Sequence, residues 1–245
     1  MLLAFETSAK AASVALFDGE KLLGESYQNT GLTHSQTLML MAEDLMKNCG
    51  ATVGDLTGVA VAAGPGSFTG VRIGVSAAKG LAWGRDLPCW GVSTLEAMAL
   101  GLGLQEGYIL PTMDARRAQV YTALFYAKNG AVSRVFEDKA IALAELKEKL
   151  PADQAIALAE LKEKLPADQP IFLVGDGSTL TYHTLKESLP SLVMPPEHKM
   201  HQRAVGVGLA AISAIARGET GDAKALSPNY LRLSQAERER MEKMK

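Results

Sequence analysis

The spacing of apolar positions changes at Thr33. Before it, short apolar runs at 2–5, 13–17 and 22–28 are separated by turn residues around Thr7 to Ala11 and by Asp18-Gly19. That pattern predicts three antiparallel strands in a meander. After it, Leu38, Met41, Leu45 and Cys49 recur at helical spacing until Gly50 stops the run, which predicts an amphipathic helix with Thr33 or Ser35 as its cap. A strand at 59–63, a glycine-rich turn, a helix at 71–83 and a strand at 88–92 follow. Ser93 then caps a helix over 95–100. The order describes an α/β unit built on a mixed sheet.

The second half echoes the first. Strands are predicted at 108–113, 119–125 and 132–136, the first two joined through Asp114-Ala115-Arg116-Arg117. A strand over 170–174 leads through Gly175-Asp176-Gly177-Ser178 into a helix ending near Glu187, and a last helix spans 201–217. Glycines between 101 and 107 mark the boundary. The expected division is an N-terminal lobe at 1–104, a second α/β lobe at 105–231 and a charged tail at 232–245. Residues 140–154 recur without change at 155–169, each copy with a leucine stripe, a Glu-to-Lys pair and a closing Leu-Pro. This predicts two short surface helices in tandem. A single repetition builds no solenoid.

A chain of 245 residues, 47% hydrophobic, can bury one large or two small cores. Its net charge of -2 gives no general attraction to nucleic acid or anionic membrane. Cys49 and Cys89 alone build no disulfide framework and fit a reducing compartment. Neither a secretory signal nor a spanning segment is visible, so the cytoplasm is the expected location.

The loop Gly64-Pro65-Gly66-Ser67-Phe68-Thr69-Gly70-Val71-Arg72-Ile73-Gly74 carries the most information. It lacks the Gly-Lys-Ser/Thr ending of a Walker loop and the dinucleotide spacing. Its amides can receive an anion at a helix start, or its glycines can admit close backbone contact. Gly70 and Gly74 are followed by Ala77, Ala78 and Ala82, a face that another helix can approach closely. If the Leu38, Met41 and Leu45 stripe lies beside it, the pair forms a docking face. The plainer alternative is that both helices cover the sheet. Thr7 and Ser8 in the first hairpin, Gly64, Gly66 and Ser67 in the loop, and Asp114 in the second hairpin fit a weakened phosphate site between lobes.

Other chemistry finds less support. His198 and His201 are close but lack further ligands, Ser67 and Ser93 lack a recognisable base, and no Cys-x-x-Cys pair exists. No metal site and no catalytic residue are therefore assigned. Arg72, Lys79, Arg85 and Arg116-Arg117 form an RNA-facing strip only if the lobes fold together; scattered cations are usually solvated.

Leu3-Ala4-Phe5-Glu6-Thr7-Ser8 with Ser13-Val14-Ala15-Leu16, His34-Ser35-Gln36, the glycine loop, Asp114-Ala115-Arg116 and Pro228-Asn229-Tyr230-Leu231-Arg232 together resemble the bacterial TsaB (YeaZ) family. The resemblance implies a two-lobed actin-like, sugar kinase and Hsp70 ATPase-type fold with ribonuclease H-like lobes. It implies a non-catalytic scaffold for N6-threonylcarbamoyladenosine at position 37 of ANN-decoding tRNAs. The expected partners are the transferase TsaD, the ATPase TsaE, a second copy when alone, and tRNA within the complex. No cofactor is expected for this subunit, whereas its partners use ATP and Mg. Older glycoprotease or M22 peptidase labels come by similarity. His34 is followed by Ser35, Gln36, Thr37 and Leu38, so the His-x-x-x-His pair expected of the catalytic relative is missing. Family contacts carried onto this chain fall on 34–46 and 68–82, led by His34, Leu38, Met41, Leu45, Phe68, Gly70, Val71, Gly74, Val75 and Ala78. A bulky residue at Gly74 is then expected to weaken TsaD binding and spare the fold. A small-molecule kinase or ATPase of the same fold, and a peptidase, remain as alternatives.

Overall fold

The computed structural model describes residues 1–103, 106–116, 119–142, 169–187 and 189–231. The first sheet contains β1 (Leu2–Glu6), β2 (Ala12–Asp18), β3 (Lys21–Gln28), β4 (Gly58–Gly64) and β5 (Cys89–Ser93) in the order β3-β2-β1-β4-β5. β1 pairs antiparallel with β2 and parallel with β4, so the sheet is mixed. A central strand is covered on both faces, and every residue of β1 is buried. Its alternation divides the core. Leu3 and Phe5 pack beneath α1 (His34–Asn48) and α2 (Phe68–Arg85), while Leu2 and Ala4 face the opposite side.

The second sheet repeats this plan with β6 (Glu106–Arg116), β7 (Gln119–Lys128), β8 (Ala131–Ala142), β9 (Ile171–Val174) and β10 (Leu192–Val193), ordered β10-β9-β6-β7-β8. Read from β8, both sheets have the 3-2-1-4-5 order of the ribonuclease H-like lobe, and the fold is two-lobed and α/β. Between them lies α3 (Thr94–Gly101), whose Leu95 and Met98 pack with Ile109, Met113 and Phe125. The far face of the second sheet is covered by α4 (Ser178–Leu185). The short α5 (Glu197–Met200) precedes α6 (Ala204–Ala216).

The end of the chain departs from the predicted division. α6 covers the first sheet, where Ala204, Val207, Ala210 and Ala211 meet Leu2, Ala4, Phe17 and Ala62. It approaches α3 closely enough that a Cβ on Gly206 would strike the Ala97 carbonyl. At its start the Ala204 amide donates to Ser13 Oγ at 2.6 Å, and Arg203 pairs with Glu25 at 2.6 Å. Beyond it, Trp90 Nε1 donates to the Glu219 carbonyl at 3.1 Å and the Asn229 amide to the Ala63 carbonyl at 2.6 Å. Residues 204–230 therefore pack on the first lobe. Sequence alone assigned them to the second because chain order carries no information about a return crossing.

Two further expectations change. α2 begins at Phe68, capped by Ser67, whose Oγ accepts from the Gly70 amide at 3.3 Å; the glycines obscured that first turn. Thr33 sits at the cap of α1 without a side-chain capping bond, whereas Ser93 caps α3 by accepting from the Glu96 amide at 3.2 Å. The first residues of the repeat, Ala140 to Ala142, extend β8 against Tyr121, Val120 and Gln119 instead of starting a helix. The remaining helical reading of the repeat, Arg117 and the tail at 232–245 lie outside the described residues. Among the described residues no helix is long and apolar enough to cross a membrane.

Candidate docking groove and interlobe cleft

The glycine loop is occupied by the chain's own first hairpin. The Ser67 amide donates to the Ser8 carbonyl at 2.6 Å, and Thr7 Oγ1 donates to the Gly70 carbonyl at 2.8 Å. A Cβ on Gly66 would lie 2.6 Å from the Ser8 carbonyl oxygen, one on Gly70 would strike the Thr7 carbonyl, and one on Gly74 would strike Thr7 Oγ1. These glycines thus permit the β1–β2 turn to rest on the start of α2. The Val71 amide donates to the Ser67 carbonyl at 2.9 Å, so the amides of Ser67, Gly70 and Val71 are all committed within the chain. Of the two readings of the loop, close backbone contact fits this geometry.

Between the lobes lies a cleft of about 550 Å³, lined in part by Ser8, Gly66, Ser67, Asp114, Arg116 and Asp176. Four of the predicted phosphate-site residues meet there. Thr7 is buried behind it, and Gly64 borders a separate pocket beside β5. Asp114 is engaged by Arg116, whose amide donates to Oδ1 at 2.7 Å and whose guanidinium lies 3.5 Å from Oδ2. Asp176 receives a hydrogen bond from Gln202 at 3.3 Å, and burial pushes its carboxyl above the usual range. Glu6, 1% exposed, accepts from the Ser8 amide through Oε1 at 2.5 Å, while Oε2 has no hydrogen-bond partner among the described residues. Burial is the main cause that raises its carboxyl to about 7, with the Asp176 charge adding to it. The Asp114 and Asp176 carboxylates that line the cleft oppose an anion there. Glu6 ends β1 and Asp176 lies two residues beyond β9; sequence reasoning gave Asp176 no role beyond its turn.

The outer face of α1 and α2 forms a groove of about 460 Å³ lined by His34, Ser35, Leu38, Met39, Phe68, Thr69, Arg72, Ile73, Ser76 and Ala77. Three residues expected at the interface, His34, Leu38 and Phe68, belong to it. Met41, Leu45, Gly70, Val71, Gly74, Val75 and Ala78 do not, because they are buried on the sheet side of the helices. The helical stripe identified the core-facing side, as such stripes do when a sheet lies beneath. The outer side presents Met39 at 46% and Leu40 at 60% exposure. His34 Nε2 donates to the Ala9 carbonyl at 2.8 Å and ties α1 to the first hairpin.

The basic residues do not form a free strip. Arg72 Nε donates to the Tyr230 hydroxyl at 2.7 Å, Lys79 donates to the Leu226 carbonyl at 2.8 Å, and Arg85 approaches the Gly54 carbonyl at 3.5 Å. Among the described residues no group of three or more His, Cys, Asp or Glu could hold a metal ion.

Comparison with known proteins agrees with this architecture. Residues 28–240 match the family model "TsaD: tRNA N6-adenosine threonylcarbamoyltransferase". The tRNA threonylcarbamoyladenosine biosynthesis protein TsaB of Bacillus subtilis is 34% identical over 100% of this chain and 99% of its own length. The Escherichia coli protein of the same name is 35% identical over 59% of this chain and 63% of its own length. The solved structure of YeaZ from Pseudomonas aeruginosa superposes with a TM-score of 0.75 at 26% identity, covering 94% of this chain and 99% of that one. Full-length similarity, the shared two-lobed fold and the quoted motifs establish that this chain belongs to the bacterial TsaB family.

Proposed function

We propose that the chain acts by docking the transferase TsaD through the groove between α1 and α2. As a TsaB protein it is the non-catalytic partner of TsaD in the making of N6-threonylcarbamoyladenosine on tRNA. The carrying observation is the outer surface of the two helices. Their apolar stripe is consumed by the sheet, yet Met39 and Leu40 stay exposed beside a groove of small residues, including Ser76 and Ala77. Exposed apolar side chains next to small ones suit a partner helix that approaches closely.

In this reading the subunit positions TsaD and supports recruitment of TsaE, pairs with itself when alone, and works in the cytoplasm. Any contact with tRNA is made within the complex. It holds no cofactor; ATP and magnesium serve its partners. The kinase or ATPase alternative needs loop donors free for phosphate, but the Ser67, Gly70 and Val71 amides are committed and Asp114 and Asp176 line the cleft.

Light scattering of the chain alone and with its cognate TsaD, followed by a tRNA modification assay with each component omitted, tests the proposal. A defined heterocomplex and modification that depends on this chain support it. Absence of both removes it.

A further inference from the structure

Arg72 is the one residue lining the α1–α2 groove that carries a fixed charge. Its setting is built rather than incidental. The guanidinium carbon lies 3.8 Å from the centroid of the Phe68 ring, and Nε donates to Tyr230 at 2.7 Å. Tyr230 in turn stacks on Phe68 with centroids 4.4 Å apart and 24° between the planes. One edge of the guanidinium is therefore used within the chain. The terminal nitrogens Nη1 and Nη2 have no hydrogen-bond or ion-pair partner among the described residues.

We propose that Arg72 is the charge anchor of this groove and pairs with a carboxylate on a helix of TsaD, with Tyr230 as its positioning residue. The proposal rests on the docking reading above and specifies its chemistry. A flat cation with a free fork of two donors matches a carboxylate in bidentate fashion. The groove lining contains no Asp or Glu to satisfy that fork. Its other walls, among them Leu38, Met39 and Ile73, are apolar, so the occupant that fits is an amphipathic helix with one acidic residue on its apolar side. Cation–aromatic and hydrogen-bond contacts hold the side chain in place before the partner arrives, which reduces the ordering that binding requires. The C-terminal segment thereby supports the docking surface through Tyr230 although it lies far from α1 and α2 in sequence.

Titration calorimetry of the full chain against its cognate TsaD, at low and high salt, tests the assignment. Arg72→Gln is expected to weaken binding about tenfold or more and to flatten the salt dependence. Arg72→Lys should recover only part of the affinity, because an ammonium cannot make the fork. Tyr230→Phe keeps the stack, removes the acceptor and should weaken binding by about threefold without changing the salt slope. Ser76→Trp fills the groove and separates two kinds of failure. If it leaves affinity unchanged, the docking reading itself is wrong. If it abolishes binding while Arg72→Gln stays within about twofold of the parent at both salts, only the anchor is overturned. Arg72→Gln altering self-association but not TsaD affinity also overturns it, in favour of a second copy as occupant.

Discussion

Tyr230 lies flat on Phe68, and the pair stands where the groove and the interlobe cleft meet. Phe68 borders both spaces, whereas Tyr230 borders the cleft. The Asn229 amide fastens this segment to the end of β4 by donating to the Ala63 carbonyl at 2.6 Å. A residue near the end of the described chain thus buttresses the first turn of α2, and so the geometry of the proposed docking face depends on the return of the chain to its first lobe.

Gly74→Val should damage the fold before it affects any partner. A Cβ at this position meets Thr7 Oγ1 and comes within 3.3 Å of Val61 Cγ2, inside a core whose neighbours are fully buried. The expected loss is about 1–3 kcal/mol from overpacking, together with disturbance of the Thr7 to Gly70 hydrogen bond. Denaturant unfolding of the isolated chain measures it. Parental stability with reduced TsaD affinity would instead restore the view that Gly74 faces a partner.

The framework was legible because alternation and glycine turns are local signals. Strands β1 to β9 and helices α1 to α4 all fall on predicted segments, and the second lobe's echo of the first was readable from Asp114 and its flanking strands. The final crossing was not, since nothing near Ala204 distinguishes packing on one sheet from packing on the other. Most residues expected at the docking face are buried on the sheet side for a related reason. Periodicity in α1 finds the side with most apolar residues, and in a helix over a sheet that side is covered. The exposed Met39 and Leu40 interrupt the polar face and were the better clue. Arg72 and Tyr230 required a contact across 158 positions, which no local pattern reports.

Stability should fall as pH rises through the range set by Glu6. Its folded carboxyl is raised from 4.5 to about 7 by burial. Between those values the unfolded chain has released its proton while the folded chain retains it, so deprotonation favours unfolding. At roughly 1.4 kcal/mol per unit the loss approaches about 3 kcal/mol by neutral pH and is absent below the unfolded value. Asp176, also raised by burial, acts in the same direction. Glu6→Gln should flatten the unfolding free energy across this window. An unchanged slope in the variant would show that another group carries the proton.

Titration with ATP and magnesium should give no saturable heat. The Ser67, Gly70 and Val71 amides of the loop are bonded to Ser8 and Ser67, and Asp114 is held by Arg116. A phosphate reaching those three amides would have to displace bonds within the chain, and in the cleft it would approach Asp114 and Asp176 as well. Saturable binding that Asp114→Ala abolishes would return the kinase or ATPase reading to contention.

Removing one copy of the 15-residue repeat should leave the fold and the modification activity intact. Because 140–154 and 155–169 are identical, deleting either gives the same shortened chain. Both junctions survive the deletion. Ala140 to Ala142 still close β8 against β7, and a glutamine still precedes Pro170 before β9. A twofold change in the length of a connection alters its closure entropy by about 0.6 kcal/mol. The expected change in unfolding free energy is therefore below about 1 kcal/mol, in the direction of slightly greater stability. Calorimetric unfolding of the shortened chain checks this, alongside its support of tRNA modification. A loss above about 2 kcal/mol would mean that the second copy packs against the lobes, a contribution beyond closure entropy. Intact stability with lost modification would assign the repeated segment a role in the assembled complex.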